Sequence, residues 1–310
     1  MKIITIVGAR PQFIKVAPVS EAFKKSGDVQ EVLIHTGQHF DKEMSDIFFS
    51  ELGIAPPDYN LEISGGGHGV MTGLMLQSIE PLLEKERPDC VLVYGDTNST
   101  LAGALAASKL YIPVAHVEAG LRSFNKHMPE EQNRIVTDHL SDMLFAPTDI
   151  ATQNLFKEGI MEENIHQVGD VMFDAALLFG EKARENSDIL EKCRVEPGRY
   201  ILATVHRASN TDDAQCLSAI VDGLEEIAKE FPVILPLHPR TRSAMLENDL
   251  EFHNVKIIEP VGYIDMIALE CQAALIATDS GGVQKESYFH GVPCVTLRDE
   301  TEWVELIEMG

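Results

Sequence analysis

The chain has 310 residues, 45% of them hydrophobic, with 49 acidic against 25 basic side chains and a formal net charge of -24. That length suits one large or two ordinary domains with buried cores. The acidity argues against nucleic acid or an anionic membrane surface as a partner, because attraction to phosphate scales with local basic charge.

Residues 3–7 are an apolar, β-rich run and read as a first strand. Gly8-Ala9-Arg10-Pro11 follows and opens a helix over 13–25. Small residues at a helix N-terminus let an anion approach unpaired N–H groups at the positive end of the helix dipole. A second strand over 31–35 ends in His35-Thr36-Gly37-Gln38-His39. The two histidines have the spacing of a metal pair, but Gly37 breaks the helix that would put both imidazoles on one face, so no metal site is expected. Ser64-Gly65-Gly66-Gly67-His68-Gly69 reads as a mobile loop, since it lacks the Lys-Ser/Thr ending of a P-loop. A helix over 70–85 and strands over 90–94, 113–117 and 143–146 continue a βα repeat, which predicts a parallel sheet.

A charged stretch and a turn signal at Glu196-Pro197-Gly198 separate this series from a second one, with a linking helix expected over about 173–192. The second series has strands over 200–204, 232–236, 255–258, 274–278 and 293–297. After its fourth strand comes another loop of the anion-binding kind, Asp279-Ser280-Gly281-Gly282. The expected fold is therefore α/β with two Rossmann-like domains facing a cleft: 1–170, a linker 171–197, and 198–310, short at its C-terminus. An anion gripped from both halves suits a sugar nucleotide. The first strand is not followed by GxGxxG, so a dinucleotide cofactor is not expected. Five cysteines, Cys90, Cys193, Cys216, Cys271 and Cys294, stand without close pairs and read as reduced thiols. With no apolar run near ~18 residues and no charged leader with a cleavage site, a soluble cytoplasmic chain is expected.

Open parallel sheets place ligand groups at the C-terminal ends of their strands. Asp96, Glu118 and the pair Glu130 and Glu131 stand at or just beyond such ends in the first half. Neighbouring carboxylates in one cleft push their pKa values apart, so that one serves as base and another as proton donor. In the second half His206-Arg207 follows a strand, and His238-Pro239-Arg240 follows the next; both can serve a phosphate or a proton transfer.

Six motifs in order then carry a resemblance that runs the length of the chain. They are Gly8-Ala9-Arg10-Pro11 with Lys15, Tyr94-Gly95-Asp96-Thr97, His116-Val117-Glu118-Ala119-Gly120-Leu121-Arg122, Pro129-Glu130-Glu131 with Asn133-Arg134, Thr204 with His206-Arg207 and Asn210, and Asp279-Ser280-Gly281-Gly282 with Gln284 and Glu286. Together they resemble the non-hydrolysing UDP-N-acetylglucosamine 2-epimerases. The resemblance implies a glycosyltransferase-B-like fold and interconversion of UDP-N-acetylglucosamine with UDP-N-acetylmannosamine through a 2-acetamidoglucal. It implies no metal or redox cofactor, and a homodimer. Carried over by motif, Asp96, Glu118, Glu130 and His206 look like the catalytic group. Arg10, Lys15, Arg134, Arg207, His238, Met266, Ser280, Gly281, Gly282 and Glu286 look like substrate-binding positions. Gln38 and His39 fall where some members bind a second, activating UDP-N-acetylglucosamine. Ser209 departs from a frequent Glu, and Trp303 from a frequent Arg. The first motif, the 35–41 segment and Val283-Gln284-Lys285-Glu286 also resemble the branch acting on UDP-2,3-diacetamido-2,3-dideoxyglucuronate. UDP-N-acetylglucosamine, the commoner metabolite, is the expected substrate, with that glucuronate, a hydrolysing epimerase or a glycosyltransferase as alternatives.

Overall fold

The computed structural model describes residues 1–38, 49 and 51–298, with Arg10 described by its backbone alone. The chain divides into two compact units, Met1–Ala175 and Ala176–Gly310, and the division falls inside the helix Val171–Asn186.

The first unit holds a seven-stranded sheet of β1 (Lys2–Val7), β2 (Gln30–His35), β3 (Tyr59–Asn60), β4 (Cys90–Tyr94), β5 (Val114–Val117), β6 (Met143–Ala146) and β7 (Ile165–Gln167). Its order is β3-β2-β1-β4-β5-β6-β7, and all its pairings are parallel. Continuous apolar strands such as Cys90–Tyr94, buried along their whole length, are what a parallel sheet covered on both faces requires. One core layer joins Ile4, Ile6, Val91 and Val93 to Met75, Ile79 and Leu83 of the helix His68–Glu86. The Ala-rich helix Asn98–Lys109 lies close against the sheet. A Cβ on its Gly103 would meet Ile6 Cδ1 at 2.9 Å, so glycine sets that approach.

The second unit repeats the plan with β8 (Ile201–Thr204), β9 (Val233–Pro236), β10 (Lys256–Ile258), β11 (Leu275–Thr278) and β12 (Cys294–Thr296), in the all-parallel order β10-β9-β8-β11-β12. Its core sets Ala203, Val233, Leu235 and Ala277 against Leu217, Val221 and Leu224 of the helix Ala214–Ala228. In both sheets the strand order reverses beside the first strand, between β1 and β4 and between β8 and β11. Those reversals, at the carboxyl ends of the strands, are where open α/β sheets place ligands.

The expected strands are all present, and the differences have local causes. Pro113, Pro232 and Pro293 stand one residue before β5, β9 and β12; each gives its carbonyl to the neighbouring strand but has no N–H for the ladder. The short strands β3 and β7 were not anticipated, because two and three residues carry no periodicity. The helix expected over 173–192 is two helices, Val171–Asn186 and Ile189–Cys193. Ser187 separates them, accepting from Ile189 N and donating to Asp265. Hydroxyl side chains bond the backbone locally in this way and so favour helix starts over helix interiors. Among the described residues no helix is long and apolar enough to cross a membrane, and the cysteines are free.

Candidate active site

At the reversal in the first unit, Gly95 turns out of β4 with φ 62° and places Asp96 beyond the strand end. Arg134, on the helix Pro129–Leu140, reaches Asp96 Oδ2 at 2.5 Å with one arm and Glu131 Oε2 at 2.6 Å with the other. Burial works against the Arg134 charge, but Asp96 and Glu131 outweigh it and hold its pKa above the ordinary value. Asn133 donates to the Asp96 carbonyl at 2.9 Å, so side chain and backbone are both held from one helix.

Glu118 follows β5 directly and lies in the left-handed region, with φ 69°. A side chain in that conformation costs about 1–3 kcal/mol and persists where the surroundings over-determine it. Glu118 is 8% exposed, and its Oε2 pairs with Lys15 Nζ from the helix Arg10–Ser26. Burial opposes the Lys15 charge. The Glu118 carboxylate, aided by Asp96 and Asp170, more than offsets it and raises the lysine pKa.

The adjacent pair Glu130 and Glu131 divides by burial. Glu131 is 1% exposed and accepts from Ser123 N, Ser123 Oγ and Phe124 N at 2.8–2.9 Å, which holds the preceding loop. Despite its burial, these donors and Arg134 lower its pKa. Glu130 is exposed on the same first turn.

Beneath these groups lies a buried ionic network. His116, on β5, sets Nδ1 at 2.7 Å from Asp138 Oδ1 and Nε2 at 2.7 Å from the Gly95 carbonyl. Asp138 Oδ2 accepts from Gly120 N at 3.1 Å and pairs with Arg122 at 2.8 Å. Arg122 continues to Glu158. Burial alone would raise the Asp138 pKa, yet His116 and Arg122 lower it.

The reversal in the second unit is built on a different plan. Asp279, fully buried after β11, accepts from His206 N, Arg207 N and the Asn210 amide at 2.9–3.0 Å. It thereby folds the segment after β8 against the start of the helix Gly281–His290. Ser280 caps that helix by accepting from Val283 N, and Gly281 and Gly282 form its first turn. A Cβ on Gly282 would meet nothing nearer than Ser280 Oγ at 3.7 Å, so the backbone there is open to a ligand. Glu286, on the same helix, accepts from the buried Tyr263 hydroxyl at 3.3 Å. His238 caps the helix Pro239–Glu247 by accepting from Arg240 N at its Nδ1, which leaves Nε2 as the donor in the neutral ring. The His206 and His238 rings lie 5.4 Å apart. Burial lowers the His206 pKa, His238, Arg207 and Arg240 push the same way, and Asp279 opposes them.

The site residues expected from sequence thus fall into two groups. Asp96, Glu118, Lys15, Arg134 and Glu130 lie in the first unit, and His206, Arg207, His238, Ser280, Gly281, Gly282 and Glu286 in the second. Met266 is half-buried on the helix Tyr263–Cys271. Lys15 and Arg134 were expected at the ligand, and each is engaged by a carboxylate of the site. Gln38 accepts from Ser99 N and Oγ; His39 and Trp303 lie outside the described residues, as does the Arg10 side chain. Sequence reasoning missed Asp138 and Tyr263, which sit in the last turn of one helix and at the start of another with no local signal, and treated Asp279 only as part of a loop. Among the described residues no group of three or more His, Cys, Asp or Glu side chains is placed to hold a metal ion.

Comparison with known proteins supplies the rest. The family model for UDP-N-acetylglucosamine 2-epimerase matches residues 21–310. A UDP-2,3-diacetamido-2,3-dideoxy-D-glucuronate 2-epimerase of Pseudomonas aeruginosa is 56% identical over all of this chain and 87% of its own length. A UDP-N-acetylglucosamine 2-epimerase of Methanococcus maripaludis is 49% identical over all of this chain and 86% of its own. The crystal structure of Methanocaldococcus jannaschii UDP-GlcNAc 2-epimerase in complex with UDP-GlcNAc and UDP superposes with a TM-score of 0.84 at 48% identity, covering 99% of this chain and 87% of that one. The fold is α/β with two Rossmann-like domains, of the glycosyltransferase-B-like type.

Proposed function

The chain belongs to the UDP-N-acetylglucosamine 2-epimerase family, a family of isomerases, and from that premise we propose that it inverts carbon-2 of a UDP-linked 2-acetamido sugar without releasing free sugar. The observation that carries this reading is the pair of strand-end carboxylates, Asp96 and Glu118, each fixed by its own cation. The carbon-2 proton of a pyranose is not acidic, so its removal must accompany departure of a stabilised leaving group. A carboxylate takes that proton while the bond from carbon-1 to the UDP oxygen breaks, and the electron pair forms the double bond of a 2-acetamidoglucal. A proton then returns to the opposite face of carbon-2 and the UDP oxygen re-adds to carbon-1. The net change consumes no oxidant and no water.

Asp96, Glu118 and Glu130 serve the proton transfers in this reading, with Lys15 and Arg134 as their counter-charges. The open helix start at Ser280, Gly281 and Gly282 takes the diphosphate, Glu286 the ribose and Met266 the uracil, while His238 donates from Nε2. His206, its pKa lowered, is a neutral imidazole at pH 7 and can exchange a proton with the leaving diphosphate. Arg10 and Arg207 complete the set of cations. A cytoplasmic homodimer without metal or redox cofactor fits the same reading. An activating second UDP-sugar at Gln38 would compete with the bonds that this amide accepts from Ser99.

For the sugar itself we favour UDP-2,3-diacetamido-2,3-dideoxyglucuronate, supported by 56% identity to an enzyme of that name; a UDP-N-acetylglucosamine 2-epimerase homolog of Methanococcus maripaludis is equally 56% identical, and a UDP-N-acetylglucosamine 2-epimerase of the same organism 49%. UDP-N-acetylglucosamine is the second reading. It is favoured by the engagement of Lys15, Arg122 and Arg134 with carboxylates of the protein, since a glucuronate needs a basic partner for its own carboxylate. Turnover of both sugars, followed by proton NMR, tests both levels of the proposal. A kcat/KM at least about tenfold higher for the glucuronate, roughly 1.4 kcal/mol in the transition state, supports the first reading. The reverse ratio supports the second, and accumulation of free sugar with UDP contradicts both.

A further inference from the structure

Glu118 holds a backbone conformation that a residue with a side chain abandons unless its neighbours hold it, and those neighbours form a chain of hydrogen bonds to the turn carrying Asp96. The residue before Glu118 accepts from Gly95, since Gly95 N donates to the Val117 carbonyl at 3.0 Å. The residue after it, Ala119, donates to the Phe145 carbonyl at 3.1 Å. Gly120 comes next, with φ 83° and a backbone against Ala151 so close that a Cβ would lie 2.3 Å from the Ala151 carbonyl oxygen. Its N–H ends on Asp138 Oδ2 at 3.1 Å. From Asp138 Oδ1 the path runs to His116 Nδ1, and from His116 Nε2 to the Gly95 carbonyl, each at 2.7 Å. The two imidazole nitrogens are therefore each engaged, one with each turn's support. His116 and Asp138 are each 0% exposed, and a buried polar network with its members satisfied fixes geometry strongly.

We propose that His116 and Asp138 are positioning residues for the epimerisation, a buried brace that holds the turn of Asp96 and the turn of Glu118 in fixed relation to each other. The brace touches neither carboxylate, and it joins the residue before Asp96 to the second residue after Glu118. Two acids that must act on opposite faces of one carbon atom need their separation fixed more tightly than either needs its own anchor, because a misplacement of ~1 Å costs on the order of 100-fold in rate. This inference rests on the epimerase reading.

The test compares Asp138→Asn, His116→Gln and the core variant Leu83→Ala, whose buried side chain lies far from the brace in sequence and whose loss brings a comparable fall in stability. Amide hydrogen exchange is read at Gly95 and Gly120 without any sugar present. Gly120 loses its own acceptor in Asp138→Asn; Gly95, whose amide is bonded to Val117 and whose carbonyl is bonded to His116, loses no direct partner in that variant, so its response there reports coupling. The expected result is exchange at Gly95 accelerated about tenfold in both brace variants, with carbon-2 deuterium incorporation lowered about 30- to 100-fold at a KM within threefold. Leu83→Ala should retain carbon-2 exchange within about threefold despite its lower Tm. An unchanged Gly95 amide in Asp138→Asn overturns the coupling. An equal loss of exchange in Leu83→Ala, or none in the brace variants, overturns the positioning role. If the unsubstituted protein exchanges no carbon-2 proton with either sugar, the epimerase reading fails and the positioning role with it, while the amide measurement still reports whether the brace exists.

Discussion

The two units place their sites at the same topological point and build them from opposite materials. In the first unit cations hold the carboxylates, the half-buried Asp96 with Arg134 and the buried Glu118 with Lys15. In the second the carboxylate, Asp279, is buried and bonded to backbone N–H groups, and what remains open is a helix N-terminus. A fixed carboxylate on a strained turn suits proton transfer, and an open helix start suits an anion that must be bound and released. On the proposed reading this difference divides the reaction into a chemical half and a holding half, and substitutions should separate the two.

The largest expected effect is in the chemical half. Asp96→Asn keeps shape but removes basicity, so carbon-2 exchange should fall about 100-fold or more, while UDP affinity measured by calorimetry stays within about threefold. Retention of more than roughly a tenth of the exchange would place the base elsewhere. In the holding half the pattern should invert. Gly282→Ala has room in the protein, so Tm should stay within about 2 °C; the added methyl nevertheless stands where a phosphate would approach, and UDP affinity should drop about tenfold. Unchanged affinity would remove the diphosphate from that helix start.

The comparison extends to buried acids. Asp138 in the first unit has His116, Arg122 and Gly120 as partners, whereas Glu270 in the second is 0% exposed with neither oxygen hydrogen-bonded among the described residues. His290 Nε2 lies at 3.9 Å, and burial with Arg184 pushes the His290 pKa down to about 4, so it offers no charge at neutral pH. Burial, with Glu286 adding to it, pushes the Glu270 pKa well above the ordinary carboxyl range. A raised acid pKa means that the folded state binds the proton more tightly. Its contribution to stability is greatest below the unfolded pKa near 4.3 and declines as pH rises toward the folded value. Glu270→Leu should therefore stabilise the protein at pH 7 by about 1–3 kcal/mol, seen as a Tm higher by roughly 2 °C or more. The gain should shrink as pH falls toward 4. A loss of stability at pH 7 would mean that Glu270 is satisfied in a way its surroundings do not show.

Much of this architecture was legible in the sequence because parallel strands buried on both faces are apolar runs, and because ligand groups follow strand ends. That logic picked out Asp96, Glu118, His206 and the loop at Ser280, each of which the structure sets just beyond a strand end. It could not separate Glu130 from Glu131, since both begin the same helix and only the loop bonded to Glu131 shows which of them is structural. Nor could it see that Arg134 faces Asp96, or that Asp138 reaches His116 from 22 residues away. Local pattern records periodicity and punctuation, whereas ion pairs between elements depend on how the elements pack. The edge strands β3 and β7 escaped for the simpler reason that they are too short to have a pattern.

The central claim is that carbon-2 is inverted by proton removal coupled to reversible loss of UDP, and it is tested most directly by running the reaction in deuterium oxide and examining the inverted product by NMR and mass spectrometry. The account predicts one solvent deuteron at carbon-2 of each inverted molecule, with the UDP-sugar intact. An inverted sugar that keeps its original proton, or a deuterated sugar released without its UDP, would contradict it.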